Sequence, residues 1–280
     1  MNNSEARQRW AALLSAGEAI SYRHEHENQQ LYLFRPRGLA ADDLRPCVFF
    51  IHGGGWGGVP EQFAAQCVHL AQLGLVAITI HFRRPSPSPV DSLADTLAAW
   101  RWVKANAAAC NVDPARIVAS GGSAGGHLAL AMVTIPGCDH ADDDLDIPID
   151  PAALVLFNPV IDLVAGWEDG QQKCRNAGLD PAEFSPAHKL KPGLPPTLVM
   201  SGSDDPLITP EQLTAFKQRM DEHGNSCRVI IYPGCEHGFF NYGRNNNVYF
   251  DQTLAELRSF LRELGYLQTD RYQRPADLAE

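Results

Sequence analysis

The stretch that most constrains the fold lies at residues 121–125, which read GGSAG and place Ser123 between small residues. An apolar, strand-like run at 117–119 precedes it, and a helix-forming run at 127–132 follows it. A serine flanked by glycines between a strand and a helix is typical of a nucleophile elbow, whose sharp turn lifts the hydroxyl out of a sheet. The sequence therefore predicts that Ser123 is a nucleophile. The alternative is an ordinary strand-to-helix turn.

A second glycine-rich loop, at 52–56, reads HGGGW and follows an apolar run. Main-chain N–H groups in such a loop can stabilise the negative oxygen of a tetrahedral intermediate, because no side chain blocks the approach of the carbonyl. We predict that the N–H groups of Gly54 and Gly55 act together with that of Ala124, the residue after the serine. The alternative is a flexible loop without this role.

The acid and base candidates lie in two later segments. Residues 199–207 begin as a buried strand and end in an acidic turn that contains Asp204 and Asp205. His237 lies in a loop after another apolar run. In the chain order serine, acid, histidine, His237 would take the proton from Ser123, and the aspartate would orient the imidazole. Asp205 is favoured as the acid, and Asp204 is the alternative.

Strand and helix patterns alternate along most of the chain, after an initial helix pattern at 5–14 and an antiparallel pair at 20–22 and 31–34. Such alternation predicts an α/β fold with a mostly parallel central sheet and helices on both faces. With 280 residues, the chain is long enough for a single domain spanning 1–280. The later predicted strands are 48–51, 75–80, 117–119, 153–157, 197–200 and 228–232, and the later predicted helices are 62–73, 91–109, 210–223 and 248–264.

Residues 158–196 interrupt this alternation, and the segment is long for a plain loop. We predict that it forms a small lid inserted over the active site, with a surface excursion as the alternative. Trp167 in this segment and Trp56 beside the glycine loop are predicted to contact substrate. For Trp56, packing in the core is an equally good interpretation.

Residues 136–151 contain six aspartates, but they lack the spacing, the inner glycine and the terminal glutamate of a calcium loop. They are interpreted as a solvated acidic loop, and neither a metal nor a cofactor is predicted. The formal net charge of -10 disfavours nucleic acid and anionic membranes as partners. A small ester substrate is the expected partner.

The seven cysteines are an odd number without a pairing framework, so they are interpreted as mostly reduced. The N-terminus lacks a basic start followed by an apolar core, and no apolar run approaches the roughly 20 residues of a membrane span. A cytoplasmic protein is therefore expected, although a chain whose secretion signal had been removed would read the same. The polar tail after Gly265 is a candidate for contacts within a homo-oligomer.

Taken together, the motifs at 52–56, 82–83, 121–125, 205–207 and 237–239 resemble those of the hormone-sensitive-lipase-like esterases, which carry an HGGG loop. The chain is also similar to bacterial carbohydrate acetyl esterases and feruloyl-esterase-like hydrolases, in which this loop often reads HGGGW. The resemblance spans about residues 47–240. It implies the α/β-hydrolase fold and ester hydrolysis through an acyl-enzyme, without a cofactor.

The resemblance further implies a carboxylesterase for short acyl groups, above all acetyl, on an alcohol such as a carbohydrate. A general short-chain aryl or alkyl esterase is the main alternative. A peptidase on the same fold usually adds a large gating domain, and a non-catalytic binding protein on this fold typically loses a member of the triad. Both are therefore minor alternatives.

Overall fold

The computed structural model describes residues 3–83 and 88–267 of the protein, so most of the polar tail lies outside the described residues. Eight strands form one sheet in the order β1-β2-β4-β3-β5-β6-β7-β8. The strands are β1 (Glu18–Ser21), β2 (Gln30–Phe34), β3 (Arg45–Ile51), β4 (Val76–His81), β5 (Val112–Gly122), β6 (Ala153–Phe157), β7 (Thr197–Gly202) and β8 (Cys227–Tyr232).

Helices cover both faces of the sheet. They are α1 (Asn3–Leu14), α2 (Ala64–Gln72), α3 (Pro89–Ala105), α4 (Ala124–Thr134), α5 (Glu168–Asn176), α6 (Pro210–Glu222) and α7 (Val248–Glu263). The buried side chains of α1, α2 and α7 join one hydrophobic cluster, and those of α3, α4 and α6 join another. The expected sheet with helices on both faces is therefore confirmed.

The sheet is antiparallel only at one edge, where β1 pairs with β2 and β2 pairs with β4. All later neighbours are parallel. Residues 46–51 of strand β3 are apolar and buried on both faces, as is typical of a central parallel strand. Val48 and Phe50 face one cluster, whereas Phe49 and Ile51 face the other.

Parallel pairing brings the carboxyl ends of β3, β5, β7 and β8 to the same edge of the sheet. The glycine loop follows β3, the serine follows β5, the acidic turn follows β7 and the histidine loop follows β8. Ligands of open parallel sheets bind at this edge. The topology alone thus gathers the four predicted motifs.

The helix boundaries follow local chemistry. Helix α3 begins at Pro89 because the hydroxyl of Ser88 caps it by accepting from the Asp91 amide, two residues earlier than the pattern predicted. Helix α6 begins with a capping box formed by Thr209 and Gln212. The predicted helix at 62–73 is divided, since Pro60–Phe63 forms a 3-10 helix before α2.

Most of the acidic segment at 136–151 is an exposed loop, as its composition suggested, but Asp143 differs. The side chain of Asp143 is only 5% exposed and forms ion pairs with Arg23 at 3.1 Å and with Arg101 at 3.3 Å. Arg101 also pairs with Asp139 at 2.7 Å. Composition could not reveal this difference, because both arginines lie far away in the sequence.

Over residues 3–83 and 88–267, no cluster of three or more metal-binding side chains is arranged to hold an ion. Within the same ranges, no helix combines the length and the apolar character that crossing a bilayer requires. All seven cysteines carry free thiols.

Candidate active site

Ser123 lies at a sharp turn between β5 and α4, with φ 57° and ψ -122°. This conformation is strained for a residue with a side chain, and surrounding main-chain hydrogen bonds hold it. The Ser123 amide donates to the carbonyl of Phe157 at 2.9 Å, and its carbonyl accepts from the amides of His127 and Val160. A methyl group at Gly125 would overlap the carbonyl oxygen of Ile51, so the turn requires glycine there.

The structure brings Ser123, His237 and Asp205 into one hydrogen-bonded row. Nε2 of His237 lies 2.7 Å from Oγ of Ser123, and Nδ1 of His237 lies 2.8 Å from Oδ2 of Asp205. The Asp205 side chain is fully buried, and its other carboxylate oxygen accepts from the Leu207 amide at 2.9 Å. Nδ1 therefore donates to the carboxylate, which leaves Nε2 free to accept the serine proton.

The two aspartates of the acidic turn have different surroundings. Asp204 is exposed and accepts a hydrogen bond from the Ser203 hydroxyl at 2.6 Å. Its amide donates to the carbonyl of Cys235, so it belongs to a turn that braces the histidine loop. Of the two aspartates, only Asp205 contacts the imidazole.

The glycine loop at 52–58 leaves two amides available near the serine. Gly54 and Gly55 have φ values of 70° and 59°, in the left-handed region. The loop closes on itself, since the Gly57 amide donates to the Gly54 carbonyl and the Gly58 amide donates to the Gly53 carbonyl. Within the described ranges, the amide hydrogens of Gly54 and Gly55 meet no acceptor.

Ala124 supplies the third predicted donor. It is the first residue of α4 and directly follows the serine. The first N–H groups of a helix have no partner within the helix, and the helix dipole favours negative charge at this end. The amides of Gly54, Gly55 and Ala124 are the predicted donors to an oxyanion. Their catalytic role, like that of the triad, stays a prediction.

Trp56 and Trp167, both predicted to contact substrate, pack against each other. Trp56 is 2% exposed, has a φ of 64°, and lies with its ring 4.9 Å from that of Trp167 and 5.5 Å from that of His127. Trp167 is half-buried at the start of α5. Trp56 thus packs in the core, which agrees with one of the two interpretations of this residue. The side chain of Trp167 is more exposed than that of Trp56. Substrate contact by either residue stays a prediction.

Two hydrogen bonds to main-chain carbonyls also join the segment at 158–196 to the residues around the serine. Nζ of Lys173 on α5 donates to the Gly55 carbonyl at 3.4 Å. On the other side, Nε2 of His127 lies 2.9 Å from the Phe184 carbonyl. The segment is therefore held against both the glycine loop and the helix that follows the serine.

His127 is a buried, neutral histidine. Its burial lowers its pKa to about 4, because desolvation disfavours the charged imidazole. Since Nε2 faces a carbonyl oxygen, Nε2 carries the proton. The buried Nδ1 meets no donor among the described residues.

Sequence reasoning missed three amide side chains, Asn158, Gln62 and Asn241. Asn158 follows β6 directly, is fully buried, and has its Nδ2 3.4 Å from Nε2 of His237. Gln62 and Asn241 are hydrogen-bonded to each other at 3.0 Å. Only the position of Asn158 at the carboxyl end of a strand could have pointed to it.

Solved structures resemble most of the chain. The apo form of esterase 2 from Thermogutta terrifontis superposes with a TM-score of 0.85 and 35% identity, over 92% of this chain and 98% of that chain. Other structures of the same esterase have propionate or butyrate bound, or are phosphorylated by paraoxon.

Curated sequences give a similar result. Carboxylesterase NlhH of Mycobacterium tuberculosis is 26% identical over 222 residues, which are 71% of this chain and 68% of the relative. An acetylxylan esterase of Xylanibacter ruminicola is 26% identical over 206 residues, which are 70% of this chain but only 40% of the relative. All three relatives are esterases, which confirms the expected enzyme class, a serine ester hydrolase.

The family model described as alpha/beta hydrolase fold matches residues 48–241. This range contains every motif on which the resemblance depends. The chain therefore belongs to the α/β-hydrolase family.

Proposed function

We propose that this ester hydrolase cleaves esters of short acyl groups, acetyl esters above all, through an acyl-enzyme on Ser123. The observation that carries the proposal is the row in which His237 contacts both the Ser123 hydroxyl at 2.7 Å and the Asp205 carboxylate at 2.8 Å. Such a row allows a proton to leave the serine as its oxygen attacks a carbonyl.

The proposed reaction has two halves. Oγ of Ser123 bonds to the ester carbonyl carbon while its proton moves to Nε2 of His237, and the oxyanion accepts hydrogen bonds from the amides of Gly54, Gly55 and Ala124. The intermediate then collapses, and the alcohol leaves with the proton from Nε2. In the second half, water gives a proton to Nε2 as its oxygen bonds to the acyl carbon. The bond between the acyl carbon and Oγ of Ser123 then breaks, Nε2 returns the proton to Oγ, and the carboxylic acid is released.

A short acyl group is supported by the surroundings of the glycine loop. Trp167 packs beside Gly55 and against Trp56 of this loop, and bulky rings there limit the room for a long acyl chain. The T. terrifontis esterase binds propionate and butyrate, and the X. ruminicola relative is an acetylxylan esterase. An acetylated carbohydrate is the alcohol side that we propose.

A general short-chain aryl or alkyl esterase is the second candidate. It is favoured by the T. terrifontis esterase, which covers more of this chain at higher identity than the acetylxylan esterase does. The two candidates share the acyl-enzyme and differ only in the leaving alcohol. A screen of acetylated sugars beside simple aryl acetates separates them.

The test is a series of p-nitrophenyl esters from acetate to octanoate, with Ser123→Ala as the blank. We expect the highest kcat/KM for acetate and a loss of activity in the Ser123→Ala variant to the level of the uncatalysed reaction plus the contribution of the oxyanion donors. Faster turnover of octanoate than of acetate would exclude the short-chain proposal. Labelling by a fluorophosphonate in the wild type but not in Ser123→Ala checks the nucleophile independently of the substrate.

A further inference from the structure

A chain of side-chain amides joins the glycine loop to the histidine loop. The Gly53 amide donates to Oε1 of Gln62 at 2.7 Å. Nε2 of Gln62 donates to Oδ1 of Asn241 at 3.0 Å, and Nδ2 of Asn241 donates to the Gly238 carbonyl at 2.8 Å. Gln62 lies in the 3-10 helix after the glycine loop, and Asn241 follows the histidine.

The chain continues to the imidazole through Asn158. The Gly238 amide donates to Oδ1 of Asn158 at 3.1 Å, and Nδ2 of Asn158 lies 3.4 Å from Nε2 of His237. Asn158 has a φ of 34° and is fully buried. Together, the amides link the loop with the oxyanion donors to the ring that accepts the serine proton.

The direction of every amide in this chain is fixed by its main-chain ends. The Gly53 amide can only donate, so Gln62 must turn its oxygen toward it and its nitrogen toward Asn241. The Gly238 carbonyl can only accept, so Asn241 must present its nitrogen there. A reversal of either amide would place two donors or two acceptors together, which is costly for the largely buried Asn241.

We propose that Gln62 and Asn241 are positioning residues that hold the glycine loop and the histidine loop at a fixed spacing. The inference rests on the proposed function, in which charge develops beside one loop while a proton moves to the other. Neither side chain touches a reacting atom. By occupying the Gly53 amide, Gln62 also leaves the amides of Gly54 and Gly55 as the donors for the oxyanion.

The test measures the hydrolysis of p-nitrophenyl acetate by Gln62→Leu, Asn241→Leu and the double variant. A small misplacement of catalytic groups lowers the rate strongly, so we expect each single variant to lose about tenfold or more in kcat. KM is expected to change less than about twofold, since ground-state contacts remain. Both substitutions break the same row of hydrogen bonds. The double variant should therefore have about the same kcat as the less active of the two single variants.

Two further variants separate positioning from general stability. Gln62→Glu retains an acceptor for the Gly53 amide but cannot donate to Asn241, so it should lose as much kcat as Gln62→Leu. Gln66→Leu is the matched control. Gln66 is a buried glutamine four residues after Gln62, and its side-chain amide forms no hydrogen bond with any described residue. We expect this control to retain wild-type kcat.

A second measurement, amide hydrogen exchange in peptides covering 52–58 and 236–244, needs no activity. In Gln62→Leu and in Asn241→Leu, amide exchange should become faster in both loops. In Gln66→Leu, exchange in both loops should stay at the wild-type rate. Two results would overturn the proposal: losses of kcat that multiply in the double variant, or faster exchange in only one of the two loops in each single variant. If the wild type neither hydrolyses esters nor reacts with a fluorophosphonate, the proposed function is wrong. In that case the exchange data alone still decide whether Gln62 and Asn241 couple the two loops.

Discussion

The indole of Trp56 packs against the indole of Trp167 with the ring centroids 4.9 Å apart and the planes inclined at 31°. Trp56 belongs to the glycine loop and Trp167 to the start of α5. The contact between the two rings therefore holds the glycine loop against α5. A bulky residue at a φ of 64° is unfavourable by roughly 1–3 kcal/mol. Burial of the Trp56 ring offsets that strain.

Trp167→Leu should therefore loosen the glycine loop. We expect kcat for p-nitrophenyl acetate to fall by about tenfold, because displaced oxyanion donors stabilise the transition state less. Trp102→Leu on α3 is the control, since Trp102 is half-buried and makes no ring contact with either tryptophan among the described residues. Equal kcat values for the two variants would contradict this role of Trp167.

Asp205→Asn should lower kcat by about 10³–10⁴-fold, because an amide no longer enforces the tautomer in which Nε2 of His237 accepts the serine proton. Asp204→Asn is the control in the same turn, and it should stay within about threefold of the wild type. The measurement is kcat with p-nitrophenyl acetate, together with circular dichroism to verify folding. A large loss in Asp204→Asn with little loss in Asp205→Asn would reverse the assignment.

The buried His127 should make stability depend on pH. Its pKa is about 4 in the folded protein against 6.5 for the free side chain, so the unfolded chain binds more protons between these values. The free energy of unfolding should therefore fall as the pH is lowered from about 6.5 to about 4, with His127 contributing on the order of 3 kcal/mol. His69, whose pKa burial lowers to about 3, adds to the same trend.

Urea unfolding at several pH values measures this effect. His127→Gln, which can still donate to the Phe184 carbonyl, should show a smaller decrease in stability on acidification than the wild type. His223→Gln alters an exposed histidine and should leave the dependence unchanged. An unaltered dependence in His127→Gln would show that protonation of His127 does not drive it.

Asp143→Asn should destabilise the protein by about 2–4 kcal/mol, because Arg23 and Arg101 would lose a largely buried partner. Asp142 lies beside it and also pairs with Arg23, but its side chain is 70% exposed. Asp142→Asn should therefore destabilise the protein much less than Asp143→Asn. Thermal unfolding of the two variants measures the difference. Equal losses in the free energy of unfolding would show that burial does not set the effect of these aspartates.

The sequence predicted the fold and the gathering of the motifs because both depend on local patterns. Ser123 and His237 lie in strand-to-loop segments whose apolar runs and glycines are visible in one dimension. Parallel pairing then brings the ends of these segments together without further information. For the same reason, the edge pair of β1 and β2 and the strand β6 could be predicted, and the structure confirms them.

Long-range side-chain contacts outside the recognised motifs could not be predicted. Gln62 and Asn241 are 179 positions apart, and neither belongs to a motif or a hydrophobic period. The choice between Asp205 and Asp204 depends on which carboxylate the turn directs inward. The burial of Asp143 depends on Arg23 and Arg101, which come from distant elements. A single sequence does not encode such partners in any local pattern.

Two hydrogen bonds that hold segment 158–196 have main-chain acceptors: Lys173 donates to the Gly55 carbonyl, and His127 donates to the Phe184 carbonyl. Every residue type provides such an oxygen, but the Phe184 side chain is buried with its ring 5.1 Å from that of His127, so packing still constrains position 184. Exposed positions of the segment, such as Gln172 and Glu183, can be replaced without loss of either hydrogen bond. Laboratory evolution of substrate preference should accordingly begin at such positions, where new side chains can be introduced while the loops beneath them keep their shape.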